Sequence, residues 1–147
     1  MRLSTRGRYG TRLMVALAHH YGEGPIPLAE IAKRQDLSVK YLEQLIIPLK
    51  AAGLIRSVRG AKGGYTLARK PVKISVGQIL EIVEGNFALV DCIAYPEICE
   101  RSPECPTRDI WVEMTNLLEK NLFSMTLQEI LDRCTPLVFV QAEKDSG

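Results

Sequence analysis

Apolar residues along the first fifty positions recur at helical spacing. Tyr9, Leu13, Ala16 and Leu17 share one face and predict an amphipathic helix over 8–21, ended by the stretch Gly22 to Pro27. Leu28, Ile31 and Ala32, with Glu30, Lys33 and Arg34 opposite them, predict a second helix over 28–35. A tight turn at Asp36 and Leu37 then leads to Ser38, a good N-cap for a third helix whose buried stripe is Val39, Leu42, Leu45, Ile46 and Leu49. The other face of that helix is Lys40, Tyr41, Glu43, Gln44 and Lys50. Pro48 lies inside it and predicts a kink or a loosened last turn, because the ring removes a donor and crowds the preceding turn; Gly53 supplies the stop. Beyond Gly53 the period falls to two. Residues 54–59 and 65–69 predict two short strands around the glycine-rich tip 60–64.

Helix, helix, turn, helix and hairpin in that order make a winged helix-turn-helix, with the third helix as the reader of the DNA major groove. The rest of the chain is patterned differently. Ser75 to Gln78 resembles a capping box opening a short helix to about Glu84, and Thr126 to Glu129 is a cleaner one opening a helix to about Arg133. Residues 85–105 carry Pro96, Pro103 and no sustained period, which predicts a loop. From Pro106 a longer helix runs to about Phe123 with Ile110, Met114, Leu117, Leu118 and Leu122 on one side, a stripe that needs a partner, either the protein's own core or a second copy. The expected fold is mainly α with a small β-hairpin wing. Its expected organisation is a DNA-binding domain over 1–73, a short helix and cysteine-bearing sensor loop over 74–105, a dimerisation helix and short C-terminal helix over 106–134, and a tail over 135–147, of which 142–147 is polar and frayed.

Composition narrows the class. The chain has 147 residues, 46% hydrophobic and 24% charged, enough to bury a core without disulfides or metal. The early apolar stretch Leu13 to Ala18 is far short of a membrane span and has no cleavable signal layout, so no membrane partner and a cytoplasmic location are expected. The net charge of +2 conceals a division. Residues 1–73 carry 14 Lys and Arg against 4 Asp and Glu, whereas 74–147 carry 5 against 13. Such a basic half attracts a polyanion and its acidic companion orients the encounter.

On the third helix, Lys40 suits phosphate, Gln44 an adenine edge, Glu43 the amino group of cytosine, and Tyr41 the backbone, with Ser38 at the helix head. Arg59 and Lys62 flank the wing tip, where arginine enters a narrow minor groove; Arg2, Arg6, Arg8 and Arg12 crowd the first helix as phosphate clamps. The second constellation is Cys92, Cys99 and Cys105, with six and five residues between them, ending at a helix start. That is not the paired spacing of a zinc ribbon. Three thiols near a helix N-terminus suit an iron–sulfur cluster needing one further ligand, with zinc, a redox dithiol and inert packing as the other readings. Cys134 is isolated and reads as buried packing, His19 and His20 point about 100° apart and cannot share a metal from one face, and Trp111 reads as a core or interface anchor. No nucleotide-binding glycine loop, HExxH or Ser/His/Asp layout can be placed, so the chain is not expected to be an enzyme.

Three stretches, MRLSTRGRYGTRLMVALA, LAEIAKRQDLSVKYLEQL and SVRGAKGGYTL, closely resemble the IscR-like winged-helix transcription regulators, a group that also holds nitric-oxide-sensing and cysteine-metabolism repressors. The resemblance covers about residues 1–134. It implies a homodimer crossed through residues 106–123, cluster ligands at Cys92, Cys99 and Cys105, and DNA contacts at Lys40, Tyr41, Glu43, Gln44 and Arg59, with Glu43 discriminating between operator classes. Three departures stand out. Arg108 occupies the place of the usual histidine ligand, Arg8 that of the aspartate used by nitric-oxide sensors, and the first two cysteines are one residue further apart than in the histidine-bearing type. The fourth ligand is then Glu104, Asp109, Cys134, a residue of the second subunit, or an exogenous thiol or water. The expectation is a dimeric repressor of cluster-assembly or stress genes, controlled by a labile cluster, 2Fe-2S ahead of 4Fe-4S, with iron–sulfur assembly proteins as further partners. The alternatives are a cysteine-metabolism or thiol-redox repressor of the same fold and, more remotely, an iron–sulfur carrier or redox protein.

Overall fold

The computed structural model of the protein describes residues 2–134, so the expected tail over 135–147 lies outside the described residues, apart from its boundary. Among the described residues seven α-helices and one hairpin follow in order: α1 (Thr5–His19), α2 (Leu28–Gln35), α3 (Val39–Ala51), β1 (Ile55–Val58), β2 (Gly64–Leu67), α4 (Val76–Glu84), α5 (Asp91–Ala94), α6 (Arg108–Ser124) and α7 (Leu127–Arg133). The fold is the expected one, mainly helical with a two-stranded antiparallel wing.

Serine caps set the starts of α1 and α3. Ser4 caps α1 by accepting from the Gly7 N–H, and Ser38 caps α3 by accepting from the Tyr41 N–H. Between α2 and α3 the chain turns at Asp36, the one non-glycine residue among those described with positive φ (53°), a conformation that aspartate tolerates better than most. α3 continues through Pro48 to Ala51, so the proline does not end it early: the missing donor falls near the C-terminus, and the Ala52 N–H still reaches the Pro48 carbonyl at 3.0 Å. Within the wing, Ile55 pairs with Leu67 and Val58 with Gly64. A reciprocal pair of hydrogen bonds at 2.9 Å joins Ile26 to Tyr65, an isolated bridge that ties the wing to the stretch before α2.

One apolar core unites these elements. Leu13, Met14, Leu17, Ile31, Leu42, Leu45, Leu49, Leu54 and Leu67 from the first half pack with Ile74, Ile79 and Leu127 from the second. α4 crosses this core between α1 and α6. Its capping box is complete, Ser75 accepting from the Gln78 N–H and the Gln78 side chain accepting from the Ser75 N–H.

Four sequence expectations are corrected. α1 begins three residues earlier than expected, at Thr5, because the Ser4 cap and the buried Gly7 and Gly10 extend it through a stretch with no apolar signature. Val39 is 41% exposed rather than part of the α3 stripe: it is the first helical residue, and its side chain leans back towards the N-terminus, off the core. The stretch 85–105 is not all loop, since Cys92 rides on the single turn α5, and 3₁₀ turns occupy Pro96–Ile98 and Ser102–Glu104. Cys134 is only half-buried, at the C-cap of α7.

Candidate nucleic-acid interface and cysteine segment

Arg2, Arg8, Ser38, Lys40, Glu43, Gln44, Arg59 and Lys62 are all solvent-exposed. The α3 face that carries Lys40, Glu43 and Gln44 lies opposite the buried Leu42, Leu45 and Leu49, so burial of one side of the helix presents the other. Tyr41 differs. It is half-buried, its ring set edge-on to Tyr9 with centroids 5.9 Å apart, and its hydroxyl oxygen is buried with no hydrogen-bond partner. Tyr41 therefore joins α3 to α1 as much as it faces outward.

The arginines of α1 divide in role. Arg8 and Arg12 both lie near the Tyr9 ring, their guanidinium carbons 5.7 and 5.1 Å from its centroid. Arg12 also donates to the Gln35 side chain (3.1 Å) and the Gln35 carbonyl (3.0 Å), so it closes the C-terminus of α2 and is not the free phosphate clamp that the sequence suggested. His20, expected to be inert, lies in a small network: Arg34 Nη1 donates to its Nε2 (2.8 Å), which leaves its Nδ1 proton facing Glu23 (2.9 Å), while Arg34 also pairs with Glu30.

The cysteine segment is built more loosely. Cys92, Cys99 and Cys105 are unbridged and half-exposed. Cys105 immediately precedes α6, where the Thr107 hydroxyl lies 3.3 Å from its sulfur. That hydroxyl first, then the backbone N–H groups of Thr107 and Arg108, and last the charge of Arg101, hold its thiol below the ordinary range against a small opposing effect of burial. The donor chemistry suits a metal cluster. The placement does not assemble one, because among the described residues no three His, Cys, Asp or Glu side chains converge on a common metal position. Arg108, where a histidine ligand was sought, is half-buried with its Nε unpartnered. The segment is pinned to α6 by Thr115, whose hydroxyl donates to the Trp111 carbonyl (2.7 Å) and accepts from the Leu89 N–H (3.3 Å).

On α6 the expected apolar stripe is present and uncovered. Ile110, Met114, Leu117 and Leu118 are exposed, as is Trp111 beside them, whereas Leu122 packs against the core. Sequence reasoning missed two residues of the site: Thr107, whose effect on Cys105 needs only the short step from sulfur to helix start, and Glu84, which joins a residue eighty positions away.

A helix-turn-helix with a basic exposed recognition face and an adjoining wing defines a DNA-binding regulator rather than an enzyme. Comparison with known proteins agrees. The family described as "Rrf2: Iron-dependent Transcriptional regulator" matches residues 3–133, and the chain belongs to it. It is 43% identical over 131 residues to the protein rrf2 of Nitratidesulfovibrio vulgaris strain Hildenborough, covering 89% of this chain and 87% of that one. Its fold superimposes on CymR, the global cysteine regulator of Bacillus subtilis, with a TM-score of 0.80 at 39% identity, over 92% of this chain and 99% of the other. Against IscR of T. potens the TM-score is 0.72 at 42% identity, over 90% and 87%. The protein is a transcription regulator of this family. No helix among the described residues is long and apolar enough to cross a membrane.

Proposed function

We propose that the chain is a dimeric repressor whose cysteine segment is its sensor, and that Cys92, Cys99 and Cys105 hold an iron–sulfur cluster. Residues 1–73 bind the operator, 74–105 sense and 106–134 dimerise. The observation that carries this is the sensor segment itself: three half-exposed thiols in one short stretch, the last activated at the head of α6. Cys92, Cys99 and Cys105 would hold the cluster, which would supply an iron- and oxidant-sensitive tie between them once loaded by the cytoplasmic iron–sulfur assembly proteins. Thr107 favours the thiolate of Cys105, the form that ligates metal, and Thr115 anchors the segment to α6. The exposed Ile110, Trp111, Met114 and Leu117 of α6 offer the face on which a second copy crosses. Two α3 helices then address half-sites about 34–36 Å apart, with Glu43 and Gln44 towards the bases, Ser38, Lys40 and Tyr41 towards the backbone, and Arg2, Arg8, Arg59 and Lys62 towards phosphates and the minor groove.

The test is iron and acid-labile sulfide per chain in protein purified without oxygen, read with the visible spectrum. Stoichiometric iron and sulfide, lost in Cys99→Ala without loss of helix content, is the expected result. A colourless protein still lacking both after anaerobic reconstitution overturns it. That outcome favours a second reading, a cysteine-metabolism or thiol-redox repressor, which the separation of the three thiols and the likeness to CymR support. Regulation that persists with all three cysteines replaced by alanine selects its partner-sensing form.

A further inference from the structure

Glu84 stands where the cysteine segment meets the DNA-facing half. It is the last residue of α4, and the segment begins at the next position. Its carboxylate accepts from the Ser4 backbone N–H at 2.9 Å and from the Ser4 hydroxyl. Ser4 caps α1, so this charge rests on the positive end of the helix that carries Arg6 and Arg8. The approach is close: a Cβ at Gly7 would lie 2.2 Å from the carboxylate oxygen, so any side chain there must push the Glu84 carboxylate aside.

At its other end α4 is fixed. The Val76 N–H reaches the Met125 carbonyl at 2.8 Å, the Leu127 N–H reaches the Ile74 carbonyl at 2.9 Å, and a Cβ on Gly77 would meet the Phe123 ring at 2.6 Å. α4 is thus a strut braced against α6 at one end and latched to α1 at the other. Beside the latch opens a cavity of about 500 Å³, lined by Arg2, Leu3, Leu80, Glu84, Leu118 and Leu122, which gives the carboxylate room to leave Ser4.

We infer that Glu84 is the positioning residue through which the state of the cysteine segment reaches the DNA contacts of α1. A pull on residues 85–105 acts on the adjoining Glu84. Loss of its hold on Ser4 frees the first turn of α1 and, with it, Arg2, Arg6 and Arg8. This inference rests on the sensor reading given above.

The test uses the full chain carrying Cys134→Ser and an operator duplex selected by the chain itself from random-sequence DNA. Affinity is measured by fluorescence anisotropy with the three thiols free, blocked with N-ethylmaleimide, or reconstituted anaerobically with ferrous iron and sulfide. Affinity of the parent is expected to differ about tenfold or more between free and treated states, within the usual range of coupling between sites. In Glu84→Ala that ratio falls to within about twofold, while Glu84→Gln, which keeps an acceptor for the Ser4 N–H, retains part of it. Gly7→Ala displaces the same carboxylate from the α1 side and collapses the ratio too, with circular dichroism confirming that each variant is folded. A parent that responds alongside equally responsive Glu84→Ala and Gly7→Ala overturns the role of Glu84 and leaves the sensor reading standing. A parent indifferent to both treatments overturns the two together.

Discussion

The helix-turn-helix with its wing and the cysteine segment with α6 are built by opposite rules. In the first, the stripes of three helices and the wing are committed to a shared core, with Leu13, Leu42, Leu49 and Leu67 at most 1% exposed, and the apolar residues left outside it, such as Val39 and Ile47, stand singly. In the second, Tyr95, Ile98, Ile110, Met114 and Leu117 face outward, and the cysteines ride on or beside single turns ahead of the long helix α6. A region that must offer a fixed surface to DNA is over-determined by packing. The region proposed to respond to a bound group and a second subunit keeps apolar surface uncommitted.

The largest effect that sharpens this contrast is on stability. Leu42→Ala empties a fully buried site and is expected to cost about 2–5 kcal/mol, whereas Ile98→Ala, at a position 60% exposed, should stay within about 0.5 kcal/mol; urea unfolding monitored by circular dichroism compares them directly. Comparable losses would mean that the cysteine segment is packed as firmly as the core. Next comes binding. Arg59→Ala removes an exposed wing charge and should weaken operator affinity by about 1–3 kcal/mol with a shallower salt dependence, while stability is unchanged; an unaltered salt slope would remove Arg59 from the interface.

The smallest effect is chemical. Because hydrogen bonds from Thr107 favour the thiolate, the folded-state titration of Cys105 lies below that of a free cysteine, and its alkylation should begin at lower pH. Thr107→Val is expected to move that rate profile upward in pH, as followed by mass spectrometry of the peptide containing Cys105. A profile that does not move would assign the activation to the backbone of α6 alone.

The same contrast governs how much was legible in the sequence. The bounds of α2, the stripe Leu42, Leu45, Ile46 and Leu49, and the hairpin were legible because burial of one face imprints a period on the residues. The turn α5 was not, since four residues are too few to show one. That Lys40, Glu43, Gln44, Arg59 and Lys62 are exposed could be read from the recognition helix and wing alone. Their division of labour could not, because the anchoring of Arg12 on Gln35 and of Tyr41 on Tyr9 depends on which helices meet. The link from Ser4 to Glu84 joins the two ends of a packed pair of helices, and nothing local to either residue announces it.

The bridge between Ile26 and Tyr65 has a bearing on the operator itself. It fastens the hairpin to the lead-in of α2, so the wing and the recognition helix are held at a set offset along the duplex. In the proposed dimer, each protomer would then read its stretch of bases in a constant phase. The length of the spacer between the two stretches would be fixed as well, because each added base pair turns one stretch about the duplex axis relative to the other.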